Sequence, residues 1–169
     1  MQEVGDIIAP DLKILFIGFN PGERSAQTGH HFAGHSNRFW KLLFTSGLTP
    51  RQLKPEEDRL LLDFGYGITN IVARPSKAAA EITKDEYRQG RLILSAKLSR
   101  YQPNIACYAG IGVYKEFCGL NKVACGLQQA AAVPGITDFV LPSPSGLNRT
   151  LFDDQLFFYQ QLHKMILVQ

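Results

Sequence analysis

The chain has 169 residues, of which 45% are hydrophobic and 20% charged. These values suit one globular domain spanning residues 1–169. They exclude a disordered tail, a collagen-like chain and a charged linker. Eighteen Lys+Arg against fifteen Asp+Glu leave a formal charge of +3, which permits a nucleic-acid partner without requiring one.

No stretch approaches ~18 uninterrupted apolar residues, so no transmembrane helix and no membrane partner are expected. The opening Met1–Asp6 carries Glu3 and Asp6 and no basic residue. A secretory signal is therefore not expected, and a cytoplasmic location is. Cys107, Cys118 and Cys125 follow the spacing C-x10-C-x6-C, which matches no zinc or iron–sulfur pattern. They read as thiols in a reducing compartment.

Leu12–Gly18 is a nearly continuous apolar run closed by glycine, which predicts a central buried strand. A polar, glycine-rich loop is expected from Phe19 to about Asn37. Phe39, Leu42 and Leu43 then recur at helical spacing, with Asn37 placed to cap the start and Gly47 the end. Pro55 opens a second helix to Leu62 or Asp63, with Glu56, Glu57 and Asp58 as first-turn acids. Gly67–Val72 predicts a second strand. Thr83 and Glu86 form a capping-box pattern for a helix to about Arg100. Asn104–Gly110 predicts a third strand, Val113–Phe117 a short helix and Thr137–Leu141 a fourth strand. A last helix is expected over Leu151–Ile166, capped by Asn148 or Thr150.

Strands alternating with helices define the α/β class: a three-layer α/β/α arrangement around a central, mostly parallel sheet of four to five strands. Ligands of such sheets sit beyond the carboxyl ends of the strands. The segments Phe19–Asn37 and Pro142–Asn148 both follow strands directly. Both are therefore placed at one sheet edge to form one site.

Within the first segment, Gly18-Phe19-Asn20-Pro21-Gly22 fails the P-loop and dinucleotide patterns. Asn-Pro-Gly also suits a plain turn, so Asn20 is read either as a turn residue or as an amide fixed at the sheet edge. An amide orients a water or holds a polar group, but it is no general base near pH 7. His30, His31 and His35 lack neighbouring Asp or Cys to complete a metal set, and no metal or other cofactor is expected. Phe32 is read as a core plug or a stacking platform. In the last segment, Leu147 sits among Gly146, Asn148 and Arg149. An apolar tip beside Ser143, Ser145 and Arg149 suits insertion into a base stack, with hydroxyls on phosphates.

Taken in order, several segments resemble the mismatch-specific uracil/thymine DNA glycosylases of the uracil-DNA glycosylase superfamily. They are Gly18–Gly22, Thr28–Phe32, Asn37–Lys41, Ile68–Arg74, Tyr101–Pro103 and Leu141–Arg149. The likeness runs from about residue 12 to residue 165.

The resemblance implies a monofunctional DNA-repair glycosylase acting as a monomer on double-stranded DNA that contains G·U or related mismatches. Asn20 would hold the attacking water. Phe19 would offer backbone contacts to the flipped base, Phe32 would stack on it, and Asn70 would bond its edge, with His31 beside them. Gly146, Leu147, Asn148 and Arg149 would form the wedge, and Ser143 and Ser145 would meet phosphates. Asn70, Ser143 and His30-His31 look like the thymine type, whereas Gly146–Arg149 looks like the bacterial uracil type. Uracil, thymine, etheno-adducts, hypoxanthine and xanthine stay open as substrates. A silent nucleic-acid-binding domain and a small-molecule enzyme using the same crevice are the rival readings.

A base must leave the duplex to be cut, at a few kcal/mol that a mismatch partly relieves. Glycosidic cleavage passes through an oxocarbenium-like state, so donors that stabilise the leaving base matter more than a strong base. No motif places a lysine for Schiff-base chemistry, so strand cleavage is not expected.

Overall fold

The computed structural model describes residues 1–168. Its sheet is built from β1 (Ile14–Gly18), β2 (Tyr66–Asn70), β3 (Ile105–Ala109), β4 (Gly126–Leu127) and β5 (Thr137–Leu141), in the order β2-β1-β3-β5-β4. The first four strands in that order run parallel, and β4 pairs antiparallel to β5. Every residue of β1 and β3 is buried. This is why those strands read as unbroken apolar runs rather than alternating ones.

Successive side chains of β1 enter opposite layers. Ile14 and Phe16 join a core with Phe39, Leu42, Leu61, Tyr159 and Leu162. Leu15 and Ile17 join another with Tyr87, Leu94, Leu98, Val113 and Tyr114. The first core is covered by α2 (Phe39–Thr45), α5 (Phe152–Leu167) and a 3₁₀ segment, Pro55–Phe64. The second is covered by α3 (Lys84–Tyr101) and α4 (Ile111–Cys118). Each fully buried aliphatic or aromatic side chain contributes roughly 1.5–3 kcal/mol. The result is the expected three-layer α/β/α architecture.

The start of α3 follows the sequence closely. Thr83 Oγ1 accepts from the Glu86 N–H at 3.2 Å, and Glu86 returns a carboxylate to the Thr83 N–H at 2.8 Å. Asn37 Oδ1 accepts from the Phe39 N–H at 2.9 Å, and Gly47 takes the left-handed φ of +91° that ends α2.

Three expectations are corrected. The segment after β1 is not all loop, because α1 (Glu23–Thr28) lies inside it; six residues are too few to show a periodicity. Pro55–Phe64 is 3₁₀ rather than α. There Asp58, one of the three first-turn acids, is buried and turned towards the segment after β1. The two-residue β4 had no sequence signal of its own. Finally, α5 has no side-chain cap. Asn148 Oδ1 instead accepts from the Thr150 N–H at 3.1 Å, within the loop.

Candidate active site

The register brings strand ends level at one edge. Gly18 pairs with Asn70, and Ala109 with Leu141. The segments that follow β1, β2 and β5 therefore face one another across a cleft of about 560 Å³. Of the residues singled out by sequence, Phe19, Asn20, His31, Phe32, Asn70, Ser143, Ser145, Leu147 and Asn148 line it. Gly146 and Arg149 belong to the same loop but not to the lining.

Asn20 is held by the segment after β2. Its Nδ2 donates to the Arg74 carbonyl at 2.9 Å and to Ser76 Oγ at 2.8 Å. A peptide carbonyl only accepts, so these contacts fix which end of the amide is which. Ser76 Oγ passes its own hydrogen to the Ala78 carbonyl at 2.8 Å, and the Ser76 N–H reaches the Pro21 carbonyl at 3.1 Å. Both amide hydrogens of Asn20 are thus used. Among the described residues, nothing donates to its Oδ1. The cleft therefore contains a fixed acceptor able to orient a water.

Phe19 divides its roles. Its carbonyl accepts from the Val72 N–H at 2.9 Å, continuing the β1–β2 ladder. Its ring packs away into the second core, against Tyr87 with centroids 6.2 Å apart. A Cβ on Gly112 would lie 2.6 Å from that ring.

Asn70 ends β2 half-buried, and its side chain makes no hydrogen bond within the described residues. A Cβ on Gly18 would lie 2.7 Å from Asn70 Oδ1 and 3.9 Å from the tip of Phe32. Glycine at 18 thus leaves room for a free amide beside an aromatic ring. Phe32 stacks on Phe39, with centroids 4.1 Å apart and planes 23° from parallel. Its φ of +50° lies in the left-handed region, which costs a non-glycine residue roughly 1–3 kcal/mol. Bonds on either side impose it. The His31 N–H donates to Asp58 Oδ2 at 3.0 Å, and the Ala33 N–H to Ser25 Oγ at 3.1 Å.

His31 is buried, and its Nε2 donates to the Gly5 carbonyl at 2.8 Å. Desolvation lowers its pKa, so the ring is a neutral wall with one nitrogen already committed. His30 Nδ1 lies 3.2 Å from Asp58 Oδ1. Among the described residues, no group of three or more His, Cys, Asp or Glu could hold a metal ion.

The loop after β5 is braced from within. Ser143 Oγ accepts from the Ser145 N–H at 3.3 Å, and Ser145 Oγ from the Leu147 N–H at 3.2 Å. Each hydroxyl keeps its hydrogen for an outside acceptor. Asn148 Nδ2 donates to the Ser143 carbonyl at 2.9 Å, so this side chain holds the loop together. Leu147 is 91% exposed at the tip. A Cβ on Gly146 would lie 2.1 Å from Ser36 Oγ, and the Arg38 N–H donates to the Pro144 carbonyl at 2.9 Å. The first and last loops are thereby locked together.

Sequence reasoning missed Ser76 and Asp58. Ser76 stands six residues beyond Asn70 in Arg74-Pro75-Ser76. The rule that strand ends share one edge, applied to β2 as well, would have pointed to it. Asp58 carried no signal that separates it from Glu56 and Glu57.

The fold and this edge cleft define the class first. A solution structure of a candidate uracil DNA glycosylase from Methanosarcina acetivorans is similar, with a TM-score of 0.63 over 96% of this chain and 98% of that one. The two sequences are 17% identical, so what they demonstrably share is the fold. Residues 6–164 match the family model of the uracil DNA glycosylase superfamily, and the chain belongs to that superfamily. It is accordingly a DNA N-glycosylase, a hydrolase of base excision repair, and DNA is its partner.

Proposed function

We propose that this chain removes uracil opposite guanine by hydrolysis and leaves an abasic site without cutting the strand. The observation that carries this reading is Asn20. Its Nδ2 is fixed by two donated bonds, its Oδ1 accepts from none of the described residues, and the residue lines a cleft of about 560 Å³. A water donating to that oxygen would be aimed at the deoxyribose carbon as the base departs. A neutral amide suffices because the bond is already breaking in an oxocarbenium-like state.

In this reading Phe32 stacks on the flipped uracil. Asn70 has a free donor and a free acceptor for the base's N3–H and a ring carbonyl. Ser143 and Ser145 present their spare hydroxyl hydrogens to phosphate oxygens. Leu147 fills the gap in the stack, and Arg149 faces the guanine strand. A G·U pair is favoured because a wobble pair opens more easily than a Watson–Crick pair.

The test is excision from G·U, A·U, G·T and single-stranded uracil substrates, read by alkaline cleavage at abasic sites. Wild type cuts G·U best. Asn20→Ala is slower by roughly 10²–10³-fold. Leu147→Ala loses duplex activity more than single-strand activity. Lys77 also lines the cleft, so borohydride trapping is run beside the assay. A trapped protein–DNA adduct would overturn the hydrolytic mechanism, and absence of cutting at every uracil substrate would overturn uracil as the target.

A further inference from the structure

Beside the cleft runs a groove of about 410 Å³, lined in part by Arg24, Phe32, Trp40, Lys41 and Lys54. It shares Arg24, Phe32, Gly34 and Asn37 with the cleft, so one passes into the other around Phe32. None of residues 143–149 lines it. Its three cations come from separate elements: Arg24 from α1, Lys41 from α2, and Lys54 from the residue before the 3₁₀ segment. All three side chains are exposed. The groove's one carboxylate is Glu56.

The groove gathers three cations without ion pairs on one lining, next to the cleft. Among the described residues, Arg24, Lys41 and Lys54 have no ion pair. Arg51, Arg74, Arg88 and Arg91 are each paired with a carboxylate, Glu57, Glu86, Asp85 and Glu116 respectively. Another surface hollow, beside α3, holds Lys84, Arg88 and Arg91; there Arg88 is paired with Asp85 and Arg91 with Glu116. Lys41 Nζ lies 4.9 Å above the Phe152 ring, and cations that share a lining without carboxylate partners repel one another unless an external anion joins them. A nucleotide seated in the cleft brings such an anion with it, because its own strand continues past the rim as a row of phosphates.

We infer that the Arg24–Lys41–Lys54 groove is a track for the phosphodiester backbone flanking the target nucleotide. It grips the strand on the side of Phe32 away from the wedge loop. The inference rests on the reading that the cleft takes a nucleotide from DNA. It adds a second anchoring surface that no motif in the sequence marks. Phosphate contacts of this kind position the duplex without reading its sequence.

The experiment measures equilibrium binding to a uracil-free duplex between about 50 and about 200 mM salt. The variants are Arg24→Gln/Lys41→Gln/Lys54→Gln, the single Lys41→Gln and Lys54→Gln, and the control Arg88→Gln/Arg91→Gln. The slope of log K against log salt should become shallower by about 0.9 for each groove cation removed. The control should match wild type. A triple variant with the wild-type slope overturns the inference, and so does a control that shifts as much. The single variants decide the matter if the triple fails to fold. Binding to uracil-free DNA is read separately from excision. A wild type that binds as expected but cuts nothing sinks the proposed function alone, and one that cuts while the groove variants keep its slope sinks the groove alone.

Discussion

Asn20 Nδ2 lies 2.8 Å from Ser76 Oγ, and this contact ties the turn after β1 to the segment after β2. Ser76 is 2% exposed, so water cannot readily replace its hydroxyl. Replacing it leaves the Arg74 carbonyl as the remaining anchor of the amide. Ser76→Ala should slow G·U excision about fivefold, the rate equivalent of losing about 1 kcal/mol of hydrogen bonding. Single-turnover kinetics check this. A rate equal to wild type would mean that the Arg74 carbonyl alone orients Asn20.

Gly18 tests Asn70 without touching it. A Cβ at position 18 would lie 2.7 Å from Asn70 Oδ1, the end of a side chain that can rotate away. Gly18→Ala should therefore fold, yet displace the amide from the cleft. Excision should fall on the order of tenfold to a hundredfold, as for Asn70→Ala, the range expected for one two-point contact to a base. The double variant should be no slower than either single one, because the same contact is lost only once. Additive losses would show that Gly18 acts by another route.

His31 predicts a pH dependence of stability. Burial lowers its folded-state pKa below the usual 6.5. Between the lowered value and about 6.5 the unfolded chain binds more protons, so stability rises with pH there. The neutral ring's contribution is complete above about pH 6.5 and is lost as the pH falls through the folded value, by at most about 1.4 kcal/mol per pH unit. His31→Gln keeps a donor for the Gly5 carbonyl but cannot titrate. Denaturant unfolding at several pH values should show a shallower slope for this variant in that window. Glu57 and Glu86 act lower down, since Arg51 and Arg74 hold their pKa values at about 2. Their contribution is present above about 4.5 and is lost as the pH falls towards about 2. A variant curve parallel to wild type in the window just below about pH 6.5 would remove His31 as the cause.

The strands were readable because β1 and β3 are buried on both faces, which forces runs such as Ile14–Gly18 to be apolar throughout. The start of α3 was readable because a capping box is a local bond between residues three apart. The short α1 and β4 were not. Such elements hold their shape through neighbours distant in sequence, and their own residues carry no periodic mark.

By itself the sequence determined the layer order, the shared sheet edge and the candidates Asn20, Phe32 and Leu147, with Asn70 added by the family resemblance. Each stands in a local pattern of strand, turn and loop residues. Only the tertiary structure decided which end of the Asn20 amide is free, because that depends on Arg74 and Ser76, more than fifty residues away. It likewise decided that Asp58 braces the strained turn at Phe32, that the Phe19 ring leaves the cleft, and that Arg24, Lys41 and Lys54 share one unpaired groove. Hydrogen bonds and charge pairing are relations across space, and a linear pattern records them only when their partners are also neighbours in the chain.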